Sequence, residues 1–242
     1  MNPTKIDYLT HTHNVFVGCT GKKCAVGLKR CWAKKQAKRK KPYVRDGKTH
    51  GCQKCYLFTP HVHDKRFLEP STVKKPCRVG LNFMSDTFEA AFNQADIAKL
   101  FLMIEEARQH TFLMKTKQPQ NIQNNFWVFP RNLWLGVSVN CKADLWRIDK
   151  LLALRPAPII SYASIEPLYS SLGTAEELMA RFYPYLGHKL DWIIIGGQTK
   201  PTLKPEITWV REIEVAAEKL GIPVFEKNNI GKLTLIQQLP KV

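Results

Sequence analysis

Short apolar runs alternate with amphipathic helical patterns along most of this 242-residue chain, and this alternation constrains the fold more than any other feature. It predicts strands over residues 15–18, 79–84, 111–115, 133–139, 159–165, 192–195 and 224–227. Apolar residues at i, i+3 and i+4 predict helices over 95–108, 143–154 and 207–220. Gly221 and Pro223 then stand where residues that end a helix are expected.

Strands that alternate with helices are typical of parallel βαβ units. The pattern predicts an α/β fold of the partial TIM-like (βα)6-7 barrel type, with an open doubly wound parallel sheet as the alternative. Residues 32–78 interrupt the alternation. They are predicted to form a basic Cys/His-rich insert after the first strand, beginning with a basic helix over 32–41. The whole chain, 1–242, is predicted to be a single α/β domain that carries this insert.

Positive charge is concentrated in the first third of the chain. The formal net charge is +17. Residues 1–78 hold 19 Lys and Arg against 4 Asp and Glu, whereas residues 79–242 hold 18 against 16. Such a positive field suits a polyphosphate, so nucleic acid is the predicted partner of the basic N-terminal third. The alternative is a lysine-rich face that serves only solubility.

The chain shows no signal for a membrane or for export. No apolar run of about 18 residues occurs, so no membrane span is expected. Residues 1–8 lack the apolar core of a signal peptide, and a cytoplasmic location is therefore predicted. Thiols stay reduced in that compartment, so the seven cysteines are interpreted as metal ligands or catalytic groups before disulfides. Cys77 and Cys141 stand alone and are interpreted as small apolar residues.

Three cysteines, Cys19, Cys24 and Cys31, follow the predicted first strand with the spacing C-x4-C-x6-C. Thiols this close together form disulfides, bind zinc or hold an iron–sulfur cluster. In a cluster of four irons, three thiolates leave one iron open to a further ligand.

A second group of thiols and imidazoles lies within residues 50–63. Cys52 and Cys55 form a C-x2-C pair, and His50, His61 and His63 lie nearby. This spacing is typical of zinc sites, in which the two cysteines would be joined by one or two of the histidines and could also recruit Cys24. Ordinary hydrogen bonding in a loop is the alternative for His61 and His63.

Polar or small residues follow almost every predicted strand. Because parallel α/β folds bind ligands at the carboxyl ends of their strands, these residues predict a shared site at one rim. Helix caps and turns would explain them singly. The residues are Ser85, Asp86, Lys115, Lys117, Ser138, Asn140, Glu166, Gly196, Gly197, Gln198 and Asn228.

Short blocks of sequence at these strand ends, taken in order, resemble a phage and prokaryotic family of domains of unknown function that is radical S-adenosylmethionine-like. The closing C-x2-C pair of that family is replaced here by Cys24-x6-Cys31, and the acidic residue after its Gly-Gly is replaced by Gln198. The matching blocks are 17–19 with 31–33, then 63–67, 83–88, 116–119, 134–139, 164–168, 192–198 and 225–227.

The resemblance implies a radical S-adenosylmethionine-like iron–sulfur enzyme of unknown substrate, with nucleic acid as one candidate. In it a 4Fe-4S cluster would be held by Cys19, Cys24 and Cys31. S-adenosylmethionine would be bound by Ser85, Ser138, Gly196 and Gly197. The catalytic candidates are Asp86, Lys115 and Glu166. Zinc or an auxiliary cluster would be held by Cys52, Cys55, His61 and His63. The alternative is a non-enzymatic, zinc-bound, basic nucleic-acid-binding protein related to phages or mobile elements.

Overall fold

The computed structural model of the protein describes residues 1–21, 31–123, 127–184 and 187–241. Cys24 lies outside these residues. The chain divides into two compact units. Unit one comprises Met1–Lys5 and Leu9–Asn121, and unit two comprises Ile6–Tyr8 and Ile122–Val242.

Unit one contains a set of mainly parallel strands together with two small antiparallel pairs. The larger set runs in the order β1-β2-β7-β8, in which β1 is antiparallel and the others are parallel. The small pairs are β3 with β6 and β4 with β5. The strands are β1 (Asn2–Pro3), β2 (His11–His13), β3 (Phe16–Val17), β4 (Tyr43–Arg45), β5 (Lys48–His50), β6 (His61–Val62), β7 (Arg78–Leu81) and β8 (Thr111–Thr116). The helices are α1 (Trp32–Ala37), α2 (Gln53–Leu57), α3 (Glu69–Thr72) and α4 (Gln94–Glu106).

Helix α4 supplies much of the core of unit one. Its N-cap, Asn93, accepts a hydrogen bond from the backbone N–H of Asp96 at 2.8 Å, which satisfies one of the unpaired donors of the first turn. Its apolar face recurs at helical spacing, and Leu100 and Ile104 on that face are fully buried. The predicted helix over 95–108 therefore agrees with the structure to within two residues.

Unit two is a run of four parallel strands in the order β9-β10-β11-β12, with helices between them. Its core centres on Trp192, which is fully buried and in contact with several other rings at centroid distances of 5.7–6.2 Å. The strands are β9 (Leu133–Ser138), β10 (Ile160–Ile165), β11 (Trp192–Ile195) and β12 (Val224–Glu226). The helices are α5 (Trp146–Leu152), α6 (Ala175–Phe182) and α7 (Ile207–Lys219).

The predicted α/β class is confirmed, because the two units contribute four strands each of mostly parallel sheet. No closed barrel is found in the described ranges. Whether the arrangement is a partial barrel or an open sheet stays a prediction, as do the single domain and the status of residues 32–78 as an insert. None of the helices in the described part of the chain combines the length and the apolar character needed to span a bilayer.

The predicted first strand, over 15–18, is wrong as a member of the parallel sheet. Its centre, Phe16–Val17, is β3 and pairs antiparallel with β6. The first parallel strand is β2. Its sequence, His11-Thr-His13, is polar, so the pattern of apolar runs did not predict it. His13 is nevertheless buried, and its Nε2 lies 2.9 Å from the carbonyl oxygen of Arg66.

Other boundaries differ for local reasons. The strand predicted over 79–84 ends at Leu81 because Asn82 takes a φ of 57°, which a strand does not accommodate. Asn82 instead uses its side-chain oxygen to accept hydrogen bonds from the N–H groups of Val15 and Phe16. The basic helix predicted over 32–41 ends already at Ala37, and the helix predicted over 143–154 begins only at Trp146.

Candidate metal centre

Helix α2 places two thiols on one turn. Cys52 is its N-cap, and the backbone N–H of Cys55 donates a hydrogen bond to the Cys52 sulfur at 3.4 Å. The helix ends after five residues at Phe58, which adopts the left-handed conformation with φ 60° and ψ 30°. This reversal turns the chain back toward the thiols, and β6 begins three residues later.

Strand β3 holds the returning segment in register. Val17 lies opposite His61, and the N–H of His63 donates to the carbonyl oxygen of Val15 at 2.9 Å. Gly18 follows β3 with a φ of +88°, and a Cβ at this position would lie 2.4 Å from the backbone carbon and oxygen of Thr59. Only glycine fits this close approach, which lets the segment leading into β6 pack tightly against the end of β3.

The four side chains meet at one point. The Nε2 atom of His61 lies 3.5 Å from the sulfur of Cys52 and 3.4 Å from that of Cys55. The Nε2 atom of His63 lies 3.1 Å from the Cys55 sulfur and 3.1 Å from Nε2 of His61. All four donor atoms lie within 4.8 Å of one another.

Four of the six distances between donor atoms approach those around a tetrahedral ion, and the other two are within 4.8 Å. Zinc–nitrogen bonds of about 2.05 Å and zinc–sulfur bonds of about 2.3 Å place tetrahedral neighbours roughly 3.3 to 3.8 Å apart. The observed separations of 3.1–3.5 Å are close to that range. Both cysteines are free thiols rather than a disulfide. The group could therefore hold a metal ion such as zinc.

The protonation of the group affects how it could bind a cation. The Nδ1 atom of His61 lies 2.8 Å from the carbonyl oxygen of Thr59, which assigns its proton to Nδ1 and leaves Nε2 as a lone-pair donor. Burial, with Arg66 and His61 adding to it, lowers the pKa of His63 to about 4, so this imidazole is neutral at pH 7. Burial and Cys52 raise the pKa of Cys55 to about 11. A bound cation would supply the charge that thiolate formation needs.

The predicted zinc ligands Cys52, Cys55, His61 and His63 are thus brought together. His50, a weaker candidate, is not among them, since it lies on β5 with its ring stacked on Tyr43 at 5.2 Å. Among the described residues this is the only group of three or more Cys, His, Asp or Glu donors with the geometry of a metal site.

The predicted iron–sulfur triplet remains a prediction, because Cys24 lies outside the described residues. Cys19 and Cys31 are half-buried free thiols that pack against one small cluster. The Cys19 thiol donates to the Glu89 carboxylate at 3.3 Å, and burial together with Glu89 raises its pKa to about 12. The cluster consists of Ala33, Ala37 and Phe58.

Glu89 was missed by sequence reasoning. Its carboxylate is buried and also accepts hydrogen bonds from Thr20 at 2.5 Å and from Gln118 at 2.7 Å. The available signal was an acidic residue inside the otherwise weakly polar run 87–92. An acid in such a run is either exposed on the far side or buried with partners, and here it is buried.

At the strand ends of unit one, the predicted residues have partners within the protein. The hydroxyl of Ser85 donates to the carbonyl oxygen of Gly18 at 2.6 Å, which holds the loop that carries Cys19. Asp86 is buried and accepts from Thr116 at 2.6 Å and from the N–H of Lys117 at 2.7 Å. Burial raises the pKa of Asp86 above its ordinary value. Lys115 places its ammonium 5.0 Å from the ring centre of Phe83.

At the strand ends of unit two, Glu166 is the centre of a polar cluster. Its carboxylate accepts from the hydroxyl of Tyr8 at 2.7 Å and from that of Ser164 at 2.9 Å, and lies 3.1 Å from the ammonium of Lys227. Burial, with Glu166 adding to it, raises the pKa of Tyr8 well above its ordinary value. Sequence reasoning predicted Glu166 but neither Tyr8 nor Lys227 as its partners.

The remaining predicted cofactor residues also lie at this edge of unit two. A Cβ on Gly196 would lie 2.9 Å from the Lys227 side chain and 3.2 Å from that of Glu166, so the pair packs directly over this glycine. The N–H of Gly197 donates to the Asn229 side chain at 3.0 Å. Ser138 is buried, and its carbonyl oxygen accepts from Arg147 at 2.7 Å. Their cofactor-binding role stays a prediction.

The fold and the site together define a mixed α/β protein with a candidate Cys2His2 metal centre. The chain belongs to the family described as "Protein of unknown function (DUF5131)", whose family model matches residues 3–237. The resemblance to a domain family of unknown function is thereby confirmed, whereas its phage and radical S-adenosylmethionine character stay predictions. The searches of curated proteins and of solved structures find no match.

Proposed function

We propose that the protein is a zinc-dependent nucleic-acid-binding protein, in which the metal orders a basic surface. The observation that carries this proposal is the meeting of Cys52, Cys55, His61 and His63 beside the most basic segment of the chain. Zinc in a closed four-ligand site is a structural element whose binding energy contributes directly to folding.

The basic segment is tied to the metal ligands by few apolar contacts. Ala33 and Ala37 of α1 are buried against Phe58, which ends α2. Two alanines and one phenylalanine, with the partly buried Cys19, Cys31 and Met84 against them, form a small apolar cluster, and burial stabilises by only about 25 cal/mol per Å². A bound metal that joins the first turn of α2 to β6 and the residue after it would supply the order that this cluster does not.

The charge of the segment fits a polyphosphate. Residues 32–54 contain nine Lys and Arg and a single Asp. Every residue of β4 and β5 is exposed, and so are the residues 38–41 that precede them. A dense set of exposed cations contacts phosphates and releases their counterions, which makes binding strongly dependent on salt.

Metal content and nucleic-acid affinity, measured on the same samples, test the proposal. We expect about one zinc per chain, and we expect Cys55→Ser and His63→Ala to lose it. The matched control is Cys141→Ser, which removes a thiol outside the group. With a labelled oligonucleotide of about 20 nucleotides, fluorescence anisotropy should report a loss of affinity of at least about tenfold in the zinc-free variants.

Two results would contradict the proposal. Nucleic-acid affinity that is the same with and without zinc would reject the ordering role of the metal. Affinity that does not change between low and high salt would reject the basic surface as the contact, because phosphate contacts weaken steeply as salt rises.

A second candidate function is the radical S-adenosylmethionine-like iron–sulfur enzyme. The position of Cys19 supports it, because the loop that carries this thiol is held at the carboxyl end of β7. The N–H of Gly18 donates to the carbonyl oxygen of Met84 at 3.0 Å, and Ser85 donates to Gly18. Parallel α/β folds bind their ligands at this end of the strands. Cys31 packs against the same cluster as Cys19.

The two candidates predict different metals on different ligands. Anaerobically purified enzyme should carry about four irons per chain and absorb broadly near 400 nm. Cys19→Ala should then remove iron and leave zinc, whereas Cys52→Ala should remove zinc and leave iron. Protein that is colourless and binds zinc alone after anaerobic reconstitution with iron and sulfide would reject the enzyme.

A further inference from the structure

We infer that the basic surface takes single-stranded nucleic acid, with unpaired bases stacking on Tyr43 and Trp32. The inference rests on the proposed function and adds the substrate class. Single-strand-binding surfaces combine cations that follow the backbone with aromatic rings on which bases stack. Both features occur together in residues 32–50.

The two rings are exposed where cations are densest. Tyr43 is 58% exposed and Trp32 is 57% exposed, which is unusual for large aromatic side chains. Tyr43 is followed by Arg45 in β4, and Trp32 begins the helix that carries Lys34 and Lys35. Each ring therefore has cations within a few residues.

The hairpin of β4 and β5 has no core that would account for its aromatic residue. All six of its strand residues are exposed, so neither face is buried. The rings of Tyr43 and His50 stack on each other at 5.2 Å with an interplanar angle of 14°. This contact fixes the orientation of the Tyr43 ring while more than half of the residue stays open to solvent.

The secondary structure of the surface favours an open strand over a duplex. In a duplex the faces of the bases are stacked on one another, so an aromatic ring gains a partner only when bases are unpaired. Helices α1 and α2 have six and five residues, about 9 Å and 7.5 Å long, which is short for a helix that reads a major groove. Insertion of the hairpin into a major groove is the competing outcome of the test.

The test compares two single strands with a duplex of the same length, which carries about twice the charge per unit length. Zinc-loaded protein is titrated into a labelled oligo(dT) of about 20 nucleotides, the same strand paired with oligo(dA), and an oligo(U) of the same length. We expect Tyr43→Leu to weaken oligo(dT) and oligo(U) binding by roughly 5- to 150-fold, the loss of one stacked base. Trp32→Leu should act in the same direction. Duplex affinity should change less than about twofold.

Matched variants separate stacking from folding and charge. Tyr43→Phe and Trp32→Phe keep a ring and should retain oligo(dT) affinity. Val44→Ala, at a position 71% exposed in the same strand, should leave affinity unchanged. Because no variant alters a charge, the salt dependence of binding should be preserved. Zinc content reports whether each variant is folded.

The outcomes distinguish this inference from the proposed function. Equal affinity for single strand and duplex, with Tyr43→Leu and Trp32→Leu unchanged, would overturn the single-strand inference and leave a zinc-ordered, phosphate-contacting protein. Tighter binding to duplex that is lost in Tyr43→Leu would also overturn it, in favour of hairpin insertion in a groove. Salt-independent affinity for all three probes would reject the proposed function itself.

Discussion

Two regions of the molecule gather groups that repel one another when ionised, and they neutralise them differently. In unit one, the thiols of Cys52 and Cys55 lie side by side with no cationic side chain in the donor group. In unit two, the carboxylates of Glu214 and Glu226 meet, and Lys232 places its ammonium 2.5 Å from the first and 2.8 Å from the second. The first cluster could take a cation from solution, whereas the second has a lysine within it.

The difference follows from what surrounds each cluster. The side chain of Glu226 is fully buried and that of Glu214 is 7% exposed, so no hydrated ion could serve them without losing its water. The segment after β12 delivers Lys232, and the N–H of Ile236 donates to Glu226 at 2.8 Å. The metal ligands are all half-buried, and a metal ion can reach them from solvent. The proposed function therefore makes order around α2 dependent on metal, whereas the charges of the unit-two cluster are balanced within the chain.

The largest expected effect breaks the self-contained cluster. Lys232→Met would leave the buried carboxylate of Glu226 without a counterion and leave Glu214 with only the exposed cation of Arg211. We expect the free energy of unfolding to fall by about 3–5 kcal/mol, measured by urea denaturation. The control is Lys219→Met, which removes only an exposed partner 4.0 Å from Glu176 and should cost less than about 1 kcal/mol. Equal losses in both variants would show that the buried ion pairs of Lys232 contribute no more to stability than an exposed ion pair.

A smaller effect is expected on the metal side. Gly18→Ala would place a Cβ against the backbone of Thr59 and force an alanine to a φ of +88°. We expect destabilisation of about 1–3 kcal/mol and a weaker zinc affinity, since the strain falls on the connection between α2 and β6. Gly47→Ala is the control, because a Cβ at that positive-φ glycine has no neighbour within 4 Å. If both substitutions reduced zinc affinity equally, the close contact between Gly18 and Thr59 would not be what supports the metal ligands.

The smallest effect tests how the charges in unit two are shared. Glu226 shares the ammonium of Lys232 with Glu214, and burial together with Glu214 raises the pKa of Glu226 above its ordinary value of 4.5. A group with a raised folded-state pKa contributes stability below its unfolded pKa and loses it as pH rises through the folded pKa. The free energies of unfolding of the natural protein and of Glu226→Gln should differ by about 1 kcal/mol. Relative to Glu226→Gln, the natural protein should therefore lose stability as pH rises above about 4.5.

Urea denaturation of both proteins between about pH 4 and pH 7 checks this slope. Arg211→Gln is a useful comparison, because it removes an exposed cation 3.0 Å from Glu214 and leaves Glu226 in place. A natural protein that becomes more stable relative to Glu226→Gln as pH rises would contradict the assigned direction.

Local patterns predicted which residues form the candidate metal centre. The C-x2-C spacing matches one helical turn, and the two histidines alternate along a short strand, so four ligands within 12 residues need only one reversal of the chain. A local pattern also predicted β11. Its predicted and observed bounds agree, because its four consecutive apolar residues are buried on both faces. In both cases the decisive contacts are close in sequence.

The sequence by itself determined the α/β class and the concentration of positive charge, and it placed all four residues of the Cys/His group among the candidate metal ligands, because periodicity, composition and short spacing are local properties. Only the tertiary structure decided that His11-Thr-His13 enters the parallel sheet and that Cys19 meets Glu89, 70 residues away. It likewise decided that Tyr8 and Lys227 pair with Glu166 and that Lys232 joins two glutamates. These partners are chosen by the packing of distant segments, where burial obliges each polar group to find a counterpart.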